Sequence, residues 1–193
     1  MSQIIIIHAF SYIIGSIPFS LLISQFSKGI DIRSQGSGNI GATNVLRVVG
    51  KREAIWALLG DVIKGIIPVL VAKFILEDFW VATTAVVVVL GHVFPIFAGF
   101  KGGKGVATSL GALLVIIPSA IIISFFVWLT VLGVSRYVSL ASIVAALLMP
   151  LICLALRNPL EFTAAATFNS AVIFIKHAGN VKRIIAGTES KVF

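Results

Sequence analysis

Charge is scarce in this chain. Lys, Arg, Asp and Glu make up 11% of its 193 residues, against about 25% in a soluble globular domain. No charged residue at all lies between 106 and 134. With 59% hydrophobic residues and a mean hydropathy of +1.11 there is no room for a separate soluble domain. Cysteine is nearly absent. The single Cys153 excludes an intrachain disulfide and reads as core packing. Acidic residues are few, 7 against 15 Lys and Arg, for a net charge of +8. In a soluble chain that excess would suggest nucleic acid. Among apolar spans it reads first as topology, because basic residues mark cytoplasmic loops. Several catalytic signatures are missing as well. There is no Cys/His metal spacing, no G-x-S-x-G elbow, and no His followed five positions later by Asp. No covalent nucleophile is apparent.

What is present is a series of apolar runs near the ~20 residues that cross a bilayer. Spans are predicted at 4–26, 54–76, 80–98, 106–117, 118–134, 138–156 and 160–176. The first run lacks a basic leader and an A-x-A cleavage site, so it reads as a retained span. The stretch 106–134 is too long for one crossing, since 29 residues at ~1.5 Å each exceed a ~30 Å hydrocarbon core. It is therefore split at Pro118. With seven spans and the N-terminus outside, only Lys64, Lys73 and Arg157 fall away from the cytoplasmic face. Six spans would move Arg136 and the four basic residues of the C-terminal tail outside. The fold class predicted is an all-α integral membrane protein of seven transmembrane helices. Residues 1–193 form one polytopic domain with a cytoplasmic C-terminus.

Two loops on that predicted face carry unusual chemistry. One runs Ser34-Gln-Gly-Ser37-Gly38-Asn39-Ile-Gly41-Ala-Thr43-Asn44-Val-Leu-Arg47, the other Gly99-Phe-Lys101-Gly102-Gly103-Lys104-Gly105. Irregular backbone and lysines between apolar runs persist where they line a wet cavity or site. Glycine lets backbone N–H groups turn toward an anion, and an arginine can grip a phosphate with two bonds. The alternative is a pair of tight turns with lysines as topology markers. A Walker A loop is excluded, because Gly99 has only three residues before Gly103-Lys104 and Gly105 stands where Ser or Thr is required. His177, Asn180 and Arg183 recur every third residue in the tail, with Glu189 beyond. His92 follows Gly91 at the cytoplasmic end of the third span, where it could cap the helix or serve a site. Asp61 and Lys64, three apart within the second span, are expected to pair or face the bundle. Ser142 opens the sixth span and could pack or bind a ligand.

These residues resemble the three motifs of the bacterial acyl-phosphate:glycerol-3-phosphate acyltransferase family (PlsY). The stretches are Ser37–Asn44 with Arg47, Gly91–Pro95 with Phe100–Thr108, and His177-x-x-Asn180-x-x-Arg183-x-x-x-Gly187-x-Glu189. Arg136-Tyr137 through Ser142 also looks like that family. The resemblance covers the whole chain and implies a seven-span enzyme of the bacterial inner membrane with a cytoplasmic active site. It implies transfer of an acyl chain from acyl phosphate to the sn-1 hydroxyl of glycerol 3-phosphate, giving lysophosphatidic acid and phosphate. It implies no metal, nucleotide, nucleic acid or obligate protein partner. Acyl phosphate is already activated, so no protein nucleophile is needed.

On that resemblance Lys104, His177, Asn180, Arg47 and Ser142 are the expected catalytic residues. Ser37, Gly38, Asn39, Gly41, Thr43, Asn44, Lys101, Gly102, Gly103, Gly105, Arg183 and Glu189 are expected to bind substrate or phosphate. Lys104 with the amides of Gly102 and Gly103 would hold the acyl phosphate. Arg47, Asn44 and Ser37 would grip glycerol 3-phosphate, and Asn180 and Ser142 would orient oxygens. Glu189 is expected to anchor the tail to basic loop residues rather than act as base, and His177 competes with the substrate's own phosphate as general base. Outside this family the rival readings are an organic-phosphate transporter and a lipid-binding scaffold. The first is weakened by the lack of an inverted repeat, the second by the density of Asn, Ser and Thr.

Overall fold

The computed structural model describes residues 1–192. Among them every regular element is helical. Two compact units result, Met1–Val115 and one beginning at Ile116. Five helical segments are long and apolar enough to cross a membrane: Ser2–Lys28, Lys51–Ile75, Asp78–Ala98, Pro118–Ser135 and Val138–Ala155.

The first unit holds six helices. The run expected as one span is two, α1 (Ser2–Gly15) and α2 (Phe19–Lys28). Pro18 explains the break, because a proline disfavours helical geometry in the residue before it and offers no N–H of its own. The carbonyl of Ile17 is thereby released from the helix ladder, and Lys64 Nζ donates to it at 2.7 Å. A short helix, α3 (Ala42–Val48), follows the first glycine-rich loop. Then come α4 (Lys51–Ile75), α5 (Asp78–Val93) with a single 3-10 turn at Ile96–Ala98, and α6 (Val106–Ile116).

Glycines set the helix crossings. A Cβ on Gly15 would strike Val88 O, and one on Gly91 would strike Tyr12 O, so α1 and α5 cross backbone to backbone. Gly65 and Gly111 bring α4 and α6 together in the same way. Small residues are what helices in lipid use to approach this closely. The loop end of this unit has its own apolar core. Leu21, Ile32, Ile40, Val45 and Ala57 cluster there with Ala98, so the first glycine-rich loop is fastened to α2 and α4.

The second unit contains α7 (Pro118–Ser135), α8 (Val138–Ala155), α9 (Leu160–Lys176) and α10 (Ala178–Ile185). The expected split of 106–134 falls at Ile117, where the chain leaves helical geometry and Pro118 opens α7. Proline suits that position because the first helical N–H has no partner anyway. In this unit α8 packs against both α7 and α9. On α7 the side chains of Phe125, Phe126 and Leu129 are exposed, as expected of a helix that meets lipid on its outer face. Despite Gly179, α10 forms, and His177 is the joint between it and α9.

Candidate active site

In the first unit the structure brings the two glycine-rich loops together. Gly103 is buried and sits between the ring of His92 and the carbonyl oxygen of Ile40. The first loop is organised by Asn44, the buried residue in the opening turn of α3. Its Oδ1 accepts the N–H of Ser37 at 2.9 Å, and its Nδ2 donates to Ile32 O at 3.0 Å and Gln35 O at 3.1 Å. Gly36, with φ +59°, passes so close to this amide that a Cβ would strike it. Ser37 and Gly38 are exposed, Asn39, Gly41 and Thr43 half-buried, and Arg47 is exposed one turn beyond Asn44. Asn44 therefore shapes the loop through three bonds to backbone rather than presenting its amide outward.

The second loop differs from expectation in one respect. The N–H of Gly102 donates to Val93 O and that of Gly103 to His92 O, each at 3.2 Å. Both amides are turned back onto the end of α5, whose last carbonyls have no helical partner. A Cβ on Gly102 would strike those same carbonyls. The two glycines thus let the loop lie against the helix end. Past Lys104 and Gly105 begins α6, whose first N–H groups have no carbonyl a turn earlier in the helix to bond. Gly105 has φ +88°, a backbone that favours glycine. Lys101 is exposed and Lys104 half-buried.

Beneath this loop lies a cluster legible only in pieces from the sequence. Lys64 Nζ is 2.7 Å from Asp61 Oδ1, so the expected pair is present and buried. His92 Nδ1 reaches the same oxygen at 3.5 Å, and Ser20 Oγ donates to Asp61 Oδ2 at 3.4 Å. The link from His92 to Asp61 has no signal in local spacing, because it joins two helices.

In the second unit the tail closes on itself. Gly187, with φ +69°, ends α10 and turns the chain back. Glu189 is then buried and takes three donors: Asn180 Nδ2 at 2.6 Å, Ser139 Oγ at 2.8 Å and Arg183 Nε at 2.7 Å. Glu189 does anchor the tail, but to Asn180 and Arg183 of the neighbouring α10 and to Ser139 at the start of α8 rather than to the basic loop residues expected. Ser139 was not among the expected site residues. Ser142 lies one turn on; it donates to Val138 O and accepts from Trp128 Nε1 at 3.2 Å. The buried His177 places Nδ1 2.7 Å from Ile173 O. A carbonyl only accepts, so Nδ1 carries the proton and Nε2 is the basic nitrogen.

Burial pushes the Glu189 carboxyl up, but the bonds from Asn180, Ser139 and Arg183 and the arginine's charge outweigh it. The carboxyl is held below its ordinary value. A depressed acid stabilises the fold above its unfolded pKa and loses that contribution as pH falls through the lower folded value. The tail should stay docked at neutral pH and at pH ~5, and release only below the usual glutamate range of ~4.3. Hydrogen exchange of the α10 amides against pH reads this directly. Release already near pH 6 would contradict it.

Fold and loops define an integral membrane protein with two glycine-rich basic loops packed on one another and a carboxylate-locked tail. A family model described as glycerol-3-phosphate acyltransferase matches residues 5–187. The chain is 45% identical over 188 residues to the glycerol-3-phosphate acyltransferase of Geobacter sulfurreducens, covering 97% of this chain and 96% of that one. It is 44% identical over 184 residues to that of Aquifex aeolicus, covering 94% and 95%. The crystal structure of PlsY (YgiH), an integral membrane glycerol 3-phosphate acyltransferase, in its glycerol 3-phosphate form superposes with a TM-score of 0.95. That comparison has 40% identity and covers 99% of this chain and 96% of the other. The lysophosphatidic acid form gives a TM-score of 0.91. The chain belongs to the glycerol-3-phosphate acyltransferase family.

Proposed function

We propose that this acyltransferase moves a fatty acyl chain from acyl phosphate directly to the sn-1 hydroxyl of glycerol 3-phosphate. The hydroxyl oxygen bonds to the acyl carbonyl carbon, and the bond from that carbon to the phosphate oxygen breaks. Lysophosphatidic acid and inorganic phosphate leave. The observation that carries this reading is the meeting of two glycine-rich loops at Gly103, beside Lys104. Two phosphate-bearing substrates need two anion sites, and two such loops are present.

Lys104, with the amides that open α6, holds the acyl phosphate and stabilises the charge growing on its leaving oxygen. Gly102, Gly103 and Gly105 give the loop its path, and Lys101 adds a surface charge near it. Arg47 grips the phosphate of glycerol 3-phosphate, with Ser37, Gly38, Asn39, Gly41 and Thr43 along the same loop. Asn44 keeps that loop in shape. Asn180, Arg183 and Ser142 orient substrate oxygens, and Glu189 holds Asn180 and Arg183 in place. His177 Nε2 takes the hydroxyl proton. The basic-residue pattern supports seven spans, adding 106–116 and 160–176 to the five long ones. It also supports an outside N-terminus and an active site facing the cytoplasm of a bacterial inner membrane, all in one polytopic domain.

One assay tests the activity. Purified protein with acyl phosphate and glycerol 3-phosphate should release phosphate and form lysophosphatidic acid. No release in the absence of other proteins would overturn the reading. His177→Gln tests the base: turnover should fall about 10²-fold or more, with the pH profile changed. Turnover within a few-fold and an unchanged profile would hand the proton to the substrate's phosphate instead.

A further inference from the structure

The buried ionisable side chains of Asp61, Lys64 and His92 have no part in the reaction described above. An ionisable side chain inside a membrane protein is expensive to keep, and apolar residues of similar size would pack the same space. These three are nonetheless joined in series, and the series ends under a functional loop. Lys64 is fixed at one end by the Ile17 carbonyl that Pro18 sets free. Asp61 is held between Lys64 and Ser20, and it faces His92 Nδ1. The far edge of the His92 ring, Nε2 and Cε1, lies directly against Gly103, where a Cβ would collide with it. The His92 carbonyl also accepts the Gly103 N–H. Ring and backbone of one residue therefore set where Gly103 lies, and Lys104 is the next residue. The void among Asp61, His92 and Gly103 is about 10 Å³. That is room for about one water and no substrate, so these side chains act without touching the reactants.

We propose that Asp61, Lys64 and His92 are positioning residues: the His92 ring, braced by the Asp61–Lys64 pair, sets the height of Gly103 and thereby of Lys104. The inference rests on the reading of Lys104 as the acyl-phosphate group. Two variants test it. His92→Asn keeps an amide that can reach toward Asp61 but removes the ring edge under Gly103. Asp61→Asn combined with Lys64→Met removes the charged brace at nearly constant volume. Each purified variant is assayed for kcat, for KM with both substrates, and for thermal midpoint. A loop displaced by a fraction of an ångström should lose roughly 10- to 100-fold in kcat/KM. KM should rise for acyl phosphate and stay unchanged for glycerol 3-phosphate. A smaller folded fraction alone would lower apparent kcat and move neither KM.

His92→Asn combined with Gly103→Ala supplies a second readout. If both act through loop height, the pair should lose no more than the worse single variant. Fully additive losses would overturn the proposal. So would folded variants with both KM values at wild-type level, and so would a failure of both variants to fold, since the network would then serve folding alone. Lys104→Ala is measured alongside. If it is inactive while His92→Asn is normal, only the positioning role falls. If it turns over normally, the reading of Lys104 falls first.

Discussion

Lys104→Ala should abolish most of the turnover and leave the fold intact. The expected loss is about 10²- to 10³-fold in kcat, the scale seen when a preorganised electrostatic group is removed from a reacting centre. The loss belongs in kcat because charge on the departing phosphate oxygen is greatest in the transition state, and only interactions that strengthen there accelerate the step. The fold should survive because main-chain bonds fix the loop. Gly102 and Gly103 donate to Val93 and His92, and Gly99 and Gly105 take left-handed backbone. Alanine retains each of those bonds. Phosphate release by the purified variant, set beside its thermal midpoint, separates chemistry from folding. Near-normal turnover would remove Lys104 from the mechanism.

The second large effect is expected at Asn44, a residue assigned no direct contact with substrate. Asn44→Ala deletes three hydrogen bonds; Ile32 O and Gln35 O keep the N–H groups of Gln35 and Gly38, but Ser37 N–H loses its acceptor. At about 1 kcal/mol per bond, more where a buried group is stranded, the local cost is about 3 kcal/mol. Ser37 and Gly38 are exposed and depend on that amide for their path. The loop should become mobile while the transmembrane helices stay. KM for glycerol 3-phosphate should therefore rise at least 10-fold with a thermal midpoint near normal. Faster hydrogen exchange confined to 32–44 checks the cause. Exchange unchanged there, with KM unchanged, would show that the amide does not organise the loop.

How much of this was legible in the sequence depended on range. The helices were readable because apolar length is a local property, and the Pro118 break followed from bilayer thickness. The Pro18 break was missed, since the apolar run through it is long enough to span unbroken. Motif residues were readable by type and spacing. Their orientation was not. Gly102 and Gly103 looked like anion donors, yet whether an amide faces a ligand or a helix end depends on a close approach to Val93 and His92 that spacing does not encode. The Asp61–Lys64 pair was local at three residues apart and was found. Its approach to His92 spans two helices, so only the folded chain reveals it. Glu189 was expected to anchor the tail, but Ser139 was invisible as its partner because fifty residues separate them.

That separation bears on how the molecule is made. Glu189 is synthesised after all ten helices, so during translation Asn180 and Arg183 emerge before the carboxylate that holds them. A ribosome that stopped just after Thr188 would release a chain with every helix present and its last motif unlatched. Docking of the tail is therefore timed by Glu189, since α10 gains its carboxylate partner only once synthesis has passed that residue.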